Sequence, residues 1–287
     1  MKAAVPAELD KLFAEVGTYR STKEYGELLR FVRRFRRYAP YNAMLLHVQK
    51  PGSRYVASAS EWAARFNRRP KPDARPLVIL RPFGPVAFVY ELNDTEGDPL
   101  PQEIEDPFIA TGEITEAKVA DFMEHAYYDG FWILMQNYGT DYAGQVSVIH
   151  ETGTFMSKGV QKAFHIPFTV SVNSNLNPAA KLATIYHELG HVYCGHLYHE
   201  DAKYLPQRYQ MTQEQEEFEA ESVCWLLCER QGIENPSAAY LSGYLDKNEE
   251  IPPISIDTML RAVGAIEQIW NKPLTPRKEL IIVPTDR

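Results

Sequence analysis

His187-Glu188-Leu189-Gly190-His191 constrains this chain more than any other stretch of it. On a helix, residues i and i+4 lie one turn apart on one face, so both imidazoles can reach a single metal ion. Neutral imidazole is a good zinc donor, and a carboxylate beside the first histidine can act as general base on a metal-bound water. That base would be Glu188. The five residues sit in a run with helical signals of its own. Asn177 is a ready N-cap, Pro178 falls at the first helical position, and Leu182, Ile185, Leu189 and Val192 recur at helical spacing. A catalytic zinc takes three protein ligands and keeps one corner open. One ligand beyond His187 and His191 is therefore required.

The next predicted helix offers it. Thr212–Gln215 reads as a helix start, and the acidic run Glu216–Glu229 follows. A solvated acidic first turn suits the helix dipole and accounts for Glu214 and Glu216. It does not account for Glu221, which shares a face with Glu217, Cys224 and Cys228, where an unpaired charge is costly. Zincins whose third ligand is glutamate commonly carry Glu-x-x-x-Asp/Glu on the helix after the motif, and this run resembles that pattern. The resemblance implies Glu217 as metal ligand and Glu221 as the group that orients a ligand histidine. Glu219 points roughly 160° away from that face and stays, with Glu221, an alternative ligand. A metzincin would need a further histidine at position 197, which is Leu197; His196 falls one short. His150 and His165 have no partner at ligand spacing and read as structural.

The run His187–His196, which closes on Gly195-His196, resembles the ImmA/IrrE metallopeptidase group. The resemblance implies a zincin-like peptidase domain, a bound Zn2+ and a protein or peptide substrate.

Charge divides the chain. Residues 1–90 hold 17 Lys and Arg against 7 Asp and Glu, a net of +10. The other 197 residues hold 13 against 31, a net of −18. Such a split predicts a basic binding module joined to a domain of another kind. A helical pattern over 7–38 ends in Arg30, Arg33, Arg34, Arg36 and Arg37 interleaved with Phe31, Phe35 and Tyr38. Arginine pairs with phosphate and aromatics stack on unpaired bases, so the composition suits single-stranded nucleic acid. It suits equally an amphipathic helix with its aromatics in the core. Arg68 and Arg69 open a basic, proline-rich loop that runs to Pro76. Strands are expected at 55–57, 77–81 and 85–91.

The series Tyr38, Asn42, Leu45, Leu46, Gln49, Pro51, Tyr55–Ala57, Trp62, Arg68, Arg69, Ile79, Leu80 and Pro82 resembles the N-terminal domain of the ArdC antirestriction proteins. That resemblance implies binding of single-stranded DNA. Where the family usually has a Gly-Lys/Glu-Gly element, this chain has Pro72–Pro76, so DNA contact by that loop is not carried over. The peptidase-like half is also similar to ArdC C-terminal domains, with Glu219-Ala220-Glu221 and Ala239-Tyr240-Leu241 in corresponding places.

The expectation is an α+β protein of two domains. A small basic domain covers 1–95, an acidic Pro-rich linker 96–112, and a zincin-like metallopeptidase domain 113–287. In the second domain, strands are expected at 131–135, 145–150 and 168–172, and Phe168–Asn173 is the expected strand for an extended substrate to join. Pro236–Leu245 and Ser255–Trp270 read as closing helices. Three cysteines read as free thiols, no run of 18 apolar residues is present, and the start of the chain is no signal peptide, so a cytoplasmic, membrane-free protein is expected. The competing expectation is a DNA-binding protective protein whose zinc is structural and whose proteolysis is absent.

Overall fold

The computed structural model describes residues 22–35, 37–81, 84–99, 114–137, 143–208, 210–233 and 251–282. The chain separates into two units, residues 1–110 with 248–250 and residues 111–247 with 251–287. Both mix helix and strand, so the fold class is α+β. Among the described residues no helix is long and apolar enough to cross a membrane.

In the first unit, α1 (Thr22–Arg34) packs on α2 (Pro40–Gln49). Residues 7–21 of the expected long helix lie outside the described residues. The helix ends at Arg34, and Pro40, at a first-turn position of α2, starts the next one. β1 (Val56–Ala57) and α3 (Ala59–Phe66) follow, then β2 (Arg68–Pro70), β3 (Leu77–Arg81), β4 (Gly84–Glu91) and β5 (Thr95–Gly97). The sheet order is β1-β4-β3, with β2 and β5 paired separately. Arg68–Pro70, expected in a loop, is therefore a strand. Its register sets Arg68 against Gly97 and Pro70 against Thr95, so the first residues of the expected linker belong to this unit.

The outer edge of β3 is closed by side chains. Asn42 exchanges two hydrogen bonds with the Leu80 backbone, at 3.0 and 2.8 Å, and Gln49 does the same with Val78, at 2.8 Å each. Two amides on one helix thus satisfy an edge that would otherwise invite strand addition.

The second unit contains α4 (Glu116–Tyr128), β6 (Phe131–Gln136), β7 (Gly144–Ser157), β8 (Val160–Asn173), α5 (Pro178–Tyr193), α6 (Gln213–Gln231) and α7 (Ile256–Ile269). Thr115 caps α4 and Asn177 caps α5 as their residue types predict, and Thr212 with Gln215 forms a capping box on α6. Pro236–Leu245 lies outside the described residues. The sheet order is β6-β8-β7, parallel then antiparallel. Residues 152–163, whose Met156 and Val160 are exposed, extend the β7–β8 hairpin beyond β6 and carry no clean alternation.

This order corrects one expectation. Phe168–Asn173 pairs with β6 on one side and with β7 over Gly144–Val148 on the other, so it has no edge left for a substrate strand. Beside α5, the edge without a strand partner among the described residues is that of β7.

The far end of the unit is fastened by a buried charge. Asp129, 1% exposed, accepts from Lys272 Nζ at 2.6 Å, from Arg277 Nε at 3.0 Å and from the Tyr193 hydroxyl. Tyr193 ends the motif helix, so this network anchors that helix to the C-terminal segment. Replacing Asp129 by Ala strands two partly buried cations and should cost about 3 kcal/mol. Thermal melting checks this, and an unchanged midpoint would contradict it.

Candidate metal centre

Gly190 sits where the two helices that bear the site meet most closely. A Cβ at this position would lie 3.2 Å from Ala220 Cα and 3.4 Å from Val223 Cβ. The absence of a side chain lets α5 and α6 approach closely along that line. Leu182, Ile185, Leu189 and Val192 of α5 and Phe218, Val223 and Leu227 of α6 are all buried, which holds the pair together.

Three polar groups then converge. His187 Nε2 lies 3.1 Å from His191 Nε2, and Glu217 Oε2 lies 3.5 Å from the first and 3.8 Å from the second. A tetrahedral zinc with bonds of about 2.1 Å has ligand–ligand edges of roughly 3.4 Å. The three separations fit the edges of one face of such a tetrahedron. Glu217 is the outermost member, its side chain 40% exposed.

The surroundings favour positive charge at that point. Burial works to lower the pKa of His187, but its bond to Glu217 and the charges of Glu221 and Glu188 carry it up to about 9. His191 goes the other way. Burial, then the proximity of His187 and His196, brings it down to about 3. Two imidazole nitrogens facing each other at 3.1 Å need a cation or a proton between them.

Both ring nitrogens that face away have partners. His187 Nδ1 lies 3.5 Å from Glu221 Oε1, while Glu221 Oε2 is buried with no hydrogen-bond partner among the described residues. His191 Nδ1 lies 2.9 Å from His196 Nδ1. Glu219 is turned away from the centre and fully buried, where it accepts from His196, from both terminal nitrogens of Arg208 and from Ser255 N. Burial opposes its charge, but those bonds hold its carboxyl below the usual range. Of the three glutamates left open by the sequence, the one whose oxygen joins both motif histidines is Glu217.

Glu188 is buried, and its Oε2 accepts from Val146 N on β7 at 2.9 Å. Burial raises its pKa, an effect that the charge of His187 only partly offsets. A cavity of about 350 Å³ adjoins it, lined by His187 and Glu188 together with Gly144, Leu176, Ala183 and Thr184. One contributor was not legible from spacing: Val146 comes from a strand with no motif. His196, singled out in the sequence by the Gly195-His196 pair, reaches back from beyond the helix end to His191. His150 packs against His199, and His165 Nδ1 lies 3.3 Å from Asp201, both away from the centre.

The basic residues are placed differently. Arg36 and the side chains of Arg30, Arg33 and Arg34 lie outside the described residues. Arg37 pairs with Glu61 and with the Tyr55 hydroxyl. Arg68 donates to Thr95 Oγ1 at 3.0 Å and to the Thr95 carbonyl at 2.9 Å, and Arg69 pairs with Glu96 at 2.9 Å. Phe31 and Phe35 are buried and stack on each other at 4.4 Å, so those two rings serve the core. Tyr38 donates to the Val56 carbonyl and Trp62 to the Tyr90 carbonyl, so much of the N-terminal residue pattern has a scaffold role.

Two histidines one turn apart, a glutamate from the neighbouring helix and a buried glutamate beside them define a metallopeptidase-like site. The comparisons agree at that level. Residues 141–234 match the family Peptidase_M78, the IrrE N-terminal-like domain. That is about one third of the chain, and it takes in the 187–191 motif, Glu217 and Glu221. No curated protein and no solved structure matches the chain.

A bulkier residue at Gly190 should pry α5 from α6 and draw Glu217 out of range. Gly190→Val is expected to lower both the melting temperature and the bound divalent metal, read by elemental analysis of the purified protein. A variant that binds metal as the wild type does would contradict the role given to this contact.

Proposed function

We propose that the second unit is a zinc metallopeptidase. The observation that carries this reading is the set of separations among His187, His191 and Glu217, which match the edges of a tetrahedral face. In this reading the three side chains hold the metal, and Glu221 orients His187 from behind. When bound, the zinc supplies a Lewis acid that polarises a carbonyl and makes water nucleophilic near neutral pH.

The chain's own residues do the proton work. Glu188 Oε2 is engaged by Val146 N, which leaves Oε1 to take a proton from the attacking water and return it to the departing amine. Its burial and raised pKa suit a group that must both accept and release a proton. The open edge of β7 offers backbone groups to an extended peptide, and the adjoining cavity runs from Gly144 and Ala183 to His187, Glu188 and Glu221. Glu188→Gln should leave zinc content and melting unchanged and lower peptide hydrolysis on the order of 10²–10⁴-fold. Equal hydrolysis by the variant would sink the peptidase reading. A biological effect that survives in it would favour the protective DNA-binding alternative.

The first unit we read as a single-stranded DNA module of ArdC type, with Arg30, Arg33, Arg34, Arg36, Arg37 and Arg69 as its phosphate contacts; Arg68, expected among them, has its guanidinium nitrogens engaged by Thr95, Gly97 and Asp98. Support comes from the net of +10 over residues 1–90. In this arrangement the module delivers the peptidase to DNA-bound protein, in antirestriction or repressor cleavage. Affinity for single strands should fall steeply with added salt, and charge reversal at Arg33, Arg34, Arg36 and Arg37 should abolish it. Binding that survives the reversal would remove this surface from the account.

A further inference from the structure

His196 is absent from the metal-facing trio, yet its ring meets one member of it. The reason lies in how α5 ends. Gly195 has φ +80°, and a Cβ there would fall 2.5 Å from the Pro206 carbonyl oxygen, so glycine alone fits. Gly195 N bonds to Val192 O at 3.0 Å, and His196 N bonds to His191 O at 2.9 Å. This pair of bonds is the Schellman closure, which turns the chain back over the last helical turn. It lays the His196 ring against His191, with centroids 5.1 Å apart.

We propose that His196 and Glu219 are positioning residues, a buried carboxylate–imidazole relay that fixes the tautomer and ring angle of His191 for metal binding. The proposal rests on the metallopeptidase reading of the same site. Its logic follows from hydrogen positions. His191 Nε2 faces His187 and Glu217, so as a ligand it must present a bare lone pair. Its hydrogen is then on Nδ1, which donates to His196 Nδ1 at 2.9 Å. His196 in turn carries its hydrogen on Nε2 and donates to Glu219 Oε2 at 3.1 Å. Each link determines the next.

Glu219 is built to hold its end still. It is fully buried and clamped by Arg208 and by Ser255 N, which donates at 2.8 Å from the N-cap of α7. Cys194, His196 and Glu219 lie close enough together to suggest a second metal position. Arg208 rules that reading out, because its guanidinium already supplies the positive charge and covers both carboxylate oxygens. The two ligand histidines are therefore steadied differently. His187 faces a carboxylate directly, whereas His191 reaches one through an intervening imidazole.

The test is zinc affinity of the full chain, measured by competition with a chromophoric chelator, with thermal melting of each variant alongside. His196→Phe keeps the bulk and removes the acceptor, and should weaken zinc about 10–100-fold. His196→Asn places an acceptor oxygen near the position of Nδ1 and should recover part of that loss. A merely structural role would not produce this ranking in folded protein. Wild-type affinity in His196→Phe would overturn the relay while leaving the metal centre standing. Failure of the wild type to bind zinc would overturn the centre and the relay together. Imidazole ¹⁵N spectra of the zinc-loaded wild type decide the matter should the Phe variant not fold. His196 protonated on Nε2 is expected, and protonation on Nδ1 overturns the proposal.

Discussion

Close approach of two helices at Gly190 and Ala220 is the constraint on which the centre depends. Neither helix holds a metal site by itself. α5 supplies two imidazoles on one face, and α6 supplies a carboxylate only because its backbone comes near enough for Glu217 to reach them. The buried apolar faces of both helices provide the driving force, while the missing side chain at Gly190 sets the distance. Burial thus positions the chemistry, with Asp129 and its cations anchoring one end of the same helix.

Alternating glutamates on α6 take opposite roles because of the helix period. Glu217 and Glu221 lie one turn apart and both face the histidines, one at each ring edge of His187. Glu219 falls between them in sequence and on the other side in space, where Arg208 and an N-cap amide satisfy it. Glu217 and Glu221, both facing the imidazoles, make a region whose field favours a cation, while the charge of Glu219 is matched by Arg208. Burial makes that preference stronger than it would be at a surface.

The sequence made the centre legible where chemistry demands fixed spacing. His187, Glu188 and His191 are separated as one helical face requires, and the caps at Asn177 and Thr212 announced both helices. Glu217 is implied by the resemblance to zincins that carry Glu-x-x-x-Asp/Glu after the motif, and the sequence leaves Glu219 and Glu221 open beside it. Contributions from distant backbone did not show. Val146 donates from a strand whose residues carry no motif, and strand order, which gives β7 rather than β8 the open edge, depends on pairing that alternation does not specify. In the first unit the basic, aromatic run looked alike for binding and for packing. Burial of Phe31 and Phe35 shows that two of its rings pack, a matter of long-range contact beyond local spacing.

X-ray absorption at the zinc edge of the purified, zinc-loaded chain addresses the centre most directly. The account predicts two imidazole nitrogens and oxygen donors at about 2.0–2.2 Å with no sulfur shell. Scattering from sulfur at about 2.3 Å would place the metal at Cys194 or Cys224 instead and contradict the convergence of His187, His191 and Glu217.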